Sequence, residues 1–218
     1  MEKIFEALCQ IGVVPVIAID RADDAVPLAR AILAGGIGCA EITFRTAAAA
    51  EAIRRLTGEV REMLAGAGTV LTVQQAEQAA LAGAQYIVSP GFDAAVVDWC
   101  QEHHVPVLPG VATPTEINMA LVRGLKLLKF FPAEEFGGVR MLKALYGPYP
   151  EVRFIPTGGI RAHNLAEYLA LPNVAACGGS WMATSRMIAE GQFEEIARLS
   201  TEARAIVRRE RGERETDR

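Results

Sequence analysis

Apolar residues along this chain gather in short, nearly continuous runs. They are VVPVIAI (13–19), CAEITF (39–44), MLAGAG (63–68), YIVSPG (86–91), VPVLPG (105–110), LKLLKFF (125–131), VRFIPTGG (152–159) and VAACGGS (174–180). Between them lie Ala-, Glu- and Arg-rich stretches at 22–34, 47–61, 73–82, 93–103, 114–123, 137–145, 162–170 and 186–208. Continuous apolar runs of strand length fit strands covered on both faces, and their alternation with helical stretches gives βαβ units and a parallel sheet. Eight such units in about 200 residues predict a single α/β domain, a (β/α)8 TIM barrel. A doubly wound open sheet is the other arrangement.

The first twelve residues, MEKIFEALCQIG, predict an extra amphipathic helix ahead of the barrel, with Ile4, Phe5, Leu8 and Ile11 on its apolar side. The barrel domain is expected over 1–208. The charged segment 209–218 is expected to fray or be disordered. The segments SPG, LPG, FPA and IPTGG each put a proline where a strand would stop, because proline cannot donate to the ladder. In a barrel these ends form the C-terminal rim, where active sites sit.

Charge and composition exclude several classes. A net charge of −4 argues against a nucleic-acid partner. No apolar run reaches the ~20 residues of a membrane span, and acids interrupt the start too early for a signal peptide. Cys9, Cys39, Cys100 and Cys177 are widely spaced and form no CxxC pair. They read as reduced thiols of a cytoplasmic protein. No His or carboxylate spacing suggests a metal. His103 and His104 fall at a predicted helix end, and His163 near the glycine-rich turn at 158–159. Eighteen arginines accompany only four lysines, so candidates for lysine chemistry are few.

One of those lysines stands out. If 125–131 is a strand, Lys129 shares a face with Leu125, Leu127 and Phe131, while Lys126, Leu128 and Phe130 take the other. Lys126 lies near the strand start and can reach water. Lys129 cannot, so it is either ion-paired inside the barrel or held as a neutral amine that attacks carbonyls. EITFRT (41–46) places Glu41 and Thr43 on one strand face, with Arg45 just beyond at the same parity. Glu41 can pair with Lys129, pair with Arg45, or transfer protons. Arg45 at the rim suits a carboxylate. The glycines of GAGT (66–69) are read as letting backbone approach a ligand. Thr72 is expected to cap the following helix. PTGGI (156–160) and CGGS (177–180) end the last two strands with glycine-rich turns, the usual phosphate site of barrels.

In order and spacing, EITFRT, GAGTVL, VSPG, KFFPAE, PTGGI and GGSW resemble the class I 2-keto-3-deoxy-6-phosphogluconate (KDPG) and 4-hydroxy-2-oxoglutarate (KHG) aldolases. The likeness runs from about Val13 to the last helix. It implies a lyase of carbohydrate metabolism, of the Entner–Doudoroff type, that splits KDPG into pyruvate and glyceraldehyde 3-phosphate. It extends to 4-hydroxy-2-oxoglutarate, split into pyruvate and glyoxylate. It further implies that Lys129 forms the Schiff base and Glu41 is the general acid/base. Arg45 and Thr69 would hold the pyruvate carboxylate, with Pro90 and Phe131 lining the pyruvate end. Thr157 would approach the substrate chain, and Gly158, Gly159, Gly178, Gly179 and Ser180 would receive the phosphate. No metal or other cofactor is implied, whereas a homotrimeric assembly is. The related phosphogalactonate aldolase is the alternative, and KFFPAE leans toward the gluconate-derived substrate. Two further readings need no imine: another phosphate-binding barrel, such as an epimerase, and a binding barrel with a dead site.

Overall fold

A computed structural model describes residues 2–212. The chain opens with α1 (Glu2–Ile11) and β1 (Val13–Ile17). Then follow α2 (Ala25–Ala34), β2 (Cys39–Thr43), α3 (Ala49–Glu59), β3 (Leu64–Gly68), α4 (Val73–Leu81), β4 (Tyr86–Val88) and α5 (Ala94–Glu102). The second half comprises β5 (Val107–Leu108), β6 (Gly110–Val111), α6 (Pro114–Val122), β7 (Leu127–Phe130), α7 (Gly138–Tyr146), β8 (Arg153–Pro156), α8 (Ala162–Leu169), β9 (Cys177–Gly179), α9 (Ser185–Ala189) and α10 (Phe193–Arg211).

All strand pairs are parallel. A six-stranded sheet runs β5-β4-β3-β2-β1-β9 and a three-stranded sheet runs β6-β7-β8. The pairs Phe154↔Val174 and Thr157↔Gly178 join the two sheets on one side. The architecture is α/β, with parallel strands curled as a half-barrel and helices packed outside. Alternate residues face outward, and Ile17, Ile42, Ala67, Ile87, Leu128, Phe130 and Phe154 are buried there. The inner face is different. Register sets Val16, Glu41, Gly66 and Tyr86 side by side across four strands, and Gly110, Lys129 and Ile155 across three others.

The glycines of β3 have a packing task. A Cβ on Gly66 would lie 2.1 Å from the Tyr86 ring, and one on Gly68 would lie 2.1 Å from Glu41 Oε1. The sequence suggests close backbone approach to a ligand here; the structure gives the space to two neighbouring side chains. Tyr86 is buried and donates to the Ala40 carbonyl at 3.3 Å.

Helix α1 closes the N-terminal end of the strands. Its Leu8 is fully buried and, with Val14, Tyr86, Val88, Leu108 and Ile155, surrounds a gap of about 10 Å³ beneath Glu41 and Lys129. Ile4, Phe5 and Ile11 pack against the same core, as the amphipathic pattern predicts. Burying one leucine contributes about 1.5–3 kcal/mol.

Three expectations change. The fifth run does not stop at its proline. Pro109 breaks it into β5, which pairs with β4, and β6, which pairs with β7. Without an N–H, Pro109 leaves the ladder for one residue, yet its carbonyl still accepts from the Lys129 N–H at 3.0 Å. The helix expected over 186–208 is two helices, because Gly191 adopts φ +69° and Thr184 caps α9. Residues 209–211, expected to fray, complete α10, and Gly212 ends it in the left-handed conformation. The remainder of the expected tail, 213–218, lies outside the described residues. Thr72 does cap α4, accepting from the Gln75 N–H.

Candidate active site

Strand parity brings Lys129 and Glu41 together. Lys129 Nζ stands 3.3 Å from Glu41 Oε1, although 88 residues separate them in the chain. Both are buried, at 5% and 4% exposure. The Lys129 ammonium also lies 5.2 Å from the centre of the Phe131 ring, close enough for attraction to its π face. Of the pairings open to Glu41, the structure takes Lys129. Arg45 turns instead to Thr43, donating from Nε to Oγ1 at 3.1 Å. Thr43 Oγ in turn donates to the Ile17 carbonyl at 2.8 Å.

Above this pair opens a cavity of about 330 Å³ at the C-terminal ends of the strands. Arg45, Thr69, Pro90, Lys129, Phe131, Thr157, Gly158, Gly159, Gly178, Gly179 and Ser180 line it, joined by Val16, Thr43 and Ile160. Glu41 is absent from this wall; it lines the small gap beneath and meets the cavity through Lys129. Thr69 holds φ at +55°, a left-handed conformation that costs a threonine energy. Larger openings elsewhere, such as the groove between α1 and residues 124–127, are polar too but do not include Lys129 or Glu41.

One side of the cavity is cationic and the other is built from backbone. Arg45 is exposed at the rim. Opposite it, Gly158 and Gly159 sit at φ +102° and +76°, where a Cβ would strain the chain. The carbonyls of this turn are tied away from the cavity. Thr157 O accepts from the Ala133 N–H at 2.8 Å and Gly158 O from the Glu134 N–H at 3.2 Å. Gly159 O accepts from Asn164 Nδ2 at 3.2 Å. The N–H groups of Gly159 and Ile160 take part in none of the backbone hydrogen bonds among the described residues, while Gly158 follows the bridge that joins Thr157 to Gly178. They stand at the N-terminal end of α8, where the helix dipole favours an anion. Gly178 admits the Thr157 side chain and Gly179 the Trp181 ring, since a Cβ there would lie 2.2 and 1.8 Å from them.

Among the described residues, no group of three or more His, Cys, Asp and Glu side chains comes together as a metal site. His103 stacks on Trp99 and His163 is exposed on α8, both outside the cavity wall. Burial pushes the Cys39, Cys100 and Cys177 thiols well up, so none is a poised nucleophile. No described helix is long and apolar enough to cross a membrane.

Sequence reasoning had not assigned Thr43, Val16, Ile160, Asn164 or Glu134. For Thr43 the signal was present, since it shares the parity of Glu41 and Arg45. Asn164 stands three residues after Arg161, the N-cap of α8, where a capping side chain is expected. Val16 required the register across strands, and Glu134 required the packing of two loops.

Chemically, the cavity offers an amine with an adjacent carboxylate at its floor, a guanidinium on one wall and bare amides on the other. The model of the KDPG and KHG aldolase family matches residues 4–199. A 2-dehydro-3-deoxy-phosphogluconate aldolase of Treponema pallidum is 55% identical over 207 residues, covering 95% of this chain and 99% of that protein. A KHG/KDPG aldolase of Escherichia coli K12 is 44% identical over 191 residues, covering 88% and 90%. Among solved structures, KDPG aldolase from Legionella pneumophila superposes with a TM-score of 0.87 at 42% identity, covering 91% of this chain and 95% of that one. In that crystal, pyruvate was captured at low pH as a covalent carbinolamine. With the family model spanning nearly the whole chain and relatives of this identity, the chain belongs to the KDPG and KHG aldolase family, a family of aldehyde-lyases.

Proposed function

We propose that this protein is a class I aldolase that reversibly cleaves KDPG to pyruvate and glyceraldehyde 3-phosphate, and 4-hydroxy-2-oxoglutarate to pyruvate and glyoxylate. The observation that carries this reading is the buried Lys129 amine 3.3 Å from the Glu41 carboxylate at the floor of the rim cavity. Arg45 and Thr69 receive the keto-acid carboxylate, Pro90 and Phe131 line the pyruvate end of the pocket, and Thr157 approaches the substrate chain. The turns at Gly158, Gly159, Gly178, Gly179 and Ser180 take the phosphate.

The chemistry follows from these positions. Glu41 accepts a proton from Lys129, and the neutral amine adds to the C2 carbonyl. Glu41 returns that proton to the carbinolamine hydroxyl, which leaves as water, so that an iminium and a free carboxylate result. Glu41 then takes the proton of the C4 hydroxyl, in part through water. The C3–C4 electron pair moves into the iminium, which leaves an aldehyde and an enamine. Glu41 returns a proton to C3. Water hydrolyses the resulting imine to pyruvate and restores the amine. The iminium is the electron sink, so the cycle balances with no metal or other cofactor taking part.

The bridges between the two sheets support one closed (β/α)8 barrel as a single domain. We further infer a cytoplasmic homotrimer from the family likeness. Sedimentation of the purified protein tests the trimer. The reaction itself is tested by borohydride reduction in the presence of pyruvate. A stable adduct on Lys129, with pyruvate released from KDPG in a coupled assay, is the expected result. No adduct, or an adduct on another lysine, removes the reading. The phosphogalactonate substrate differs in configuration at C4, and parallel turnover of both sugars ranks them.

A further inference from the structure

The Gly158–Gly159 turn raises a question of its own. Two adjacent glycines at positive φ form the most pliable kind of backbone, and an isolated turn of this type would flip its peptides readily. An anion site built from peptide N–H groups requires the opposite, since amides that wander do not bind. Something must hold this turn with its N–H groups toward the cavity.

Three side chains outside the cavity wall stand where that holding is done. Asn164 lies in the first turn of α8 with both ends of its carboxamide in use: Nδ2 donates to Gly159 O at 3.2 Å and Oδ1 accepts from the Arg161 N–H at 2.8 Å. This fixes the plane of the peptide that follows Gly159. Glu134 acts from the other side, in the loop after β7. Its N–H holds Gly158 O, and its side chain fills the space that a Gly159 side chain would occupy, since a Cβ on Gly159 would lie 2.3 Å from Glu134 Cγ. Glu134 is held in turn by Tyr168 of α8, whose hydroxyl donates to Glu134 Oε1. Tyr168 is buried at 1% exposure, so this donor has a fixed origin. Burial, reinforced by the bond to Glu134, pushes the Tyr168 hydroxyl well above its ordinary range and keeps it protonated as a donor. Gly138 leaves room for the pair, because a Cβ there would lie 2.7 Å from the Tyr168 oxygen. The loop that carries Glu134 begins where the Lys129 strand ends, so the same clamp fixes the spacing between the amine and the anion turn.

We propose that Asn164 and the Glu134–Tyr168 pair are positioning residues that set the Gly158–Gly159 turn for an anion, and thereby set the preference for a phosphorylated over an unphosphorylated keto acid. This rests on the aldolase reading above and extends it to substrate choice.

The test compares Asn164→Ala, Tyr168→Phe and Glu134→Ala with the parent protein on KDPG and on 4-hydroxy-2-oxoglutarate, with Glu134→Gln as the variant that keeps an acceptor for Tyr168. Losing one such hydrogen bond is worth about 0.5–1.5 kcal/mol, a roughly two- to tenfold effect. The expected result is a rise of that size in KM for KDPG, unchanged kcat/KM for 4-hydroxy-2-oxoglutarate, and recovery in Glu134→Gln. Equal losses on both substrates, or no loss on either, overturn the proposal. Equilibrium binding of inorganic phosphate reads the turn without turnover: weaker binding in Asn164→Ala supports the clamp, and unchanged binding overturns it. Failure of the parent protein to form a pyruvate adduct sinks the aldolase reading alone, because the phosphate measurement does not depend on it. Tyr168→Phe removes a single oxygen and serves where the alanine variants fold poorly.

Discussion

Lysine meets glutamate twice within four residues of the sixth strand–helix unit. Lys126, just before β7, reaches Glu151 at 2.5 Å with both side chains more than half exposed. Lys129, inside β7, reaches Glu41 at 3.3 Å with both nearly sealed from water. The partners are chemically the same, and the exposed pair is the shorter of the two. What differs is the medium. At the surface, water already solvates both charges and screens them, so an ion pair there contributes about 0–1 kcal/mol. Inside, each charge depends on the other, and removing one partner leaves a buried charge uncompensated at a cost of about 3–5 kcal/mol. One pair decorates the N-terminal end of the strands. The other lies at the floor of the cavity at their C-terminal end.

The contrast breaks most visibly at Lys129. Lys129→Ala is expected to lose turnover and the borohydride-trapped adduct together, and to lower stability in urea melts because Glu41 stays behind unpaired. Retained turnover would defeat both the imine mechanism and the role of strand parity in this site. Glu41→Gln is expected to lower kcat by about 10²–10⁴-fold while a pyruvate adduct still forms, since an amide cannot shuttle the proton. A kcat near that of the parent would show that the carboxylate is structural. Leu8→Ala probes the closed end of the strands, where it should cost about 2–5 kcal/mol in chemical denaturation and leave KM unchanged. A shift in KM without loss of stability would mean that the plug communicates with the rim. The smallest effect belongs to Lys126→Ala: a change within about 1 kcal/mol and unaltered kcat/KM. If it slowed turnover as Lys129→Ala does, the distinction drawn between the two lysines would be void.

Much of this was legible in the sequence because period-2 parity is a local rule. It separates Lys129 from Lys126 and aligns Glu41, Thr43 and Arg45 without any knowledge of the fold. The proline and glycine punctuation also located the rim, and Pro90, Pro132 and Pro156 do stand at strand ends. Pro109 shows the limit of that rule, because a proline can interrupt a strand whose pairing resumes one residue later on the other side. What stayed hidden depends on neighbours distant in the chain. Gly66 and Gly68 looked like ligand clearance because nothing local says that Tyr86 and Glu41 will lie across them. Arg45 looked free to meet Glu41 because the hold of Thr43 on its guanidinium depends on the position of β1. The break at Gly191 was passed over because the surrounding composition is helical throughout, and one glycine in a helical pattern is tolerated often enough to be ignored.

The absent side chain at Gly68 carries one more consequence. With a Cβ there landing 2.1 Å from Glu41 Oε1, the two positions are not free to drift independently. An alanine at 68 would force the Glu41 side chain out of its place beside Lys129. On the aldolase reading, a residue with no chemistry of its own thereby sets where the proposed proton carrier stands.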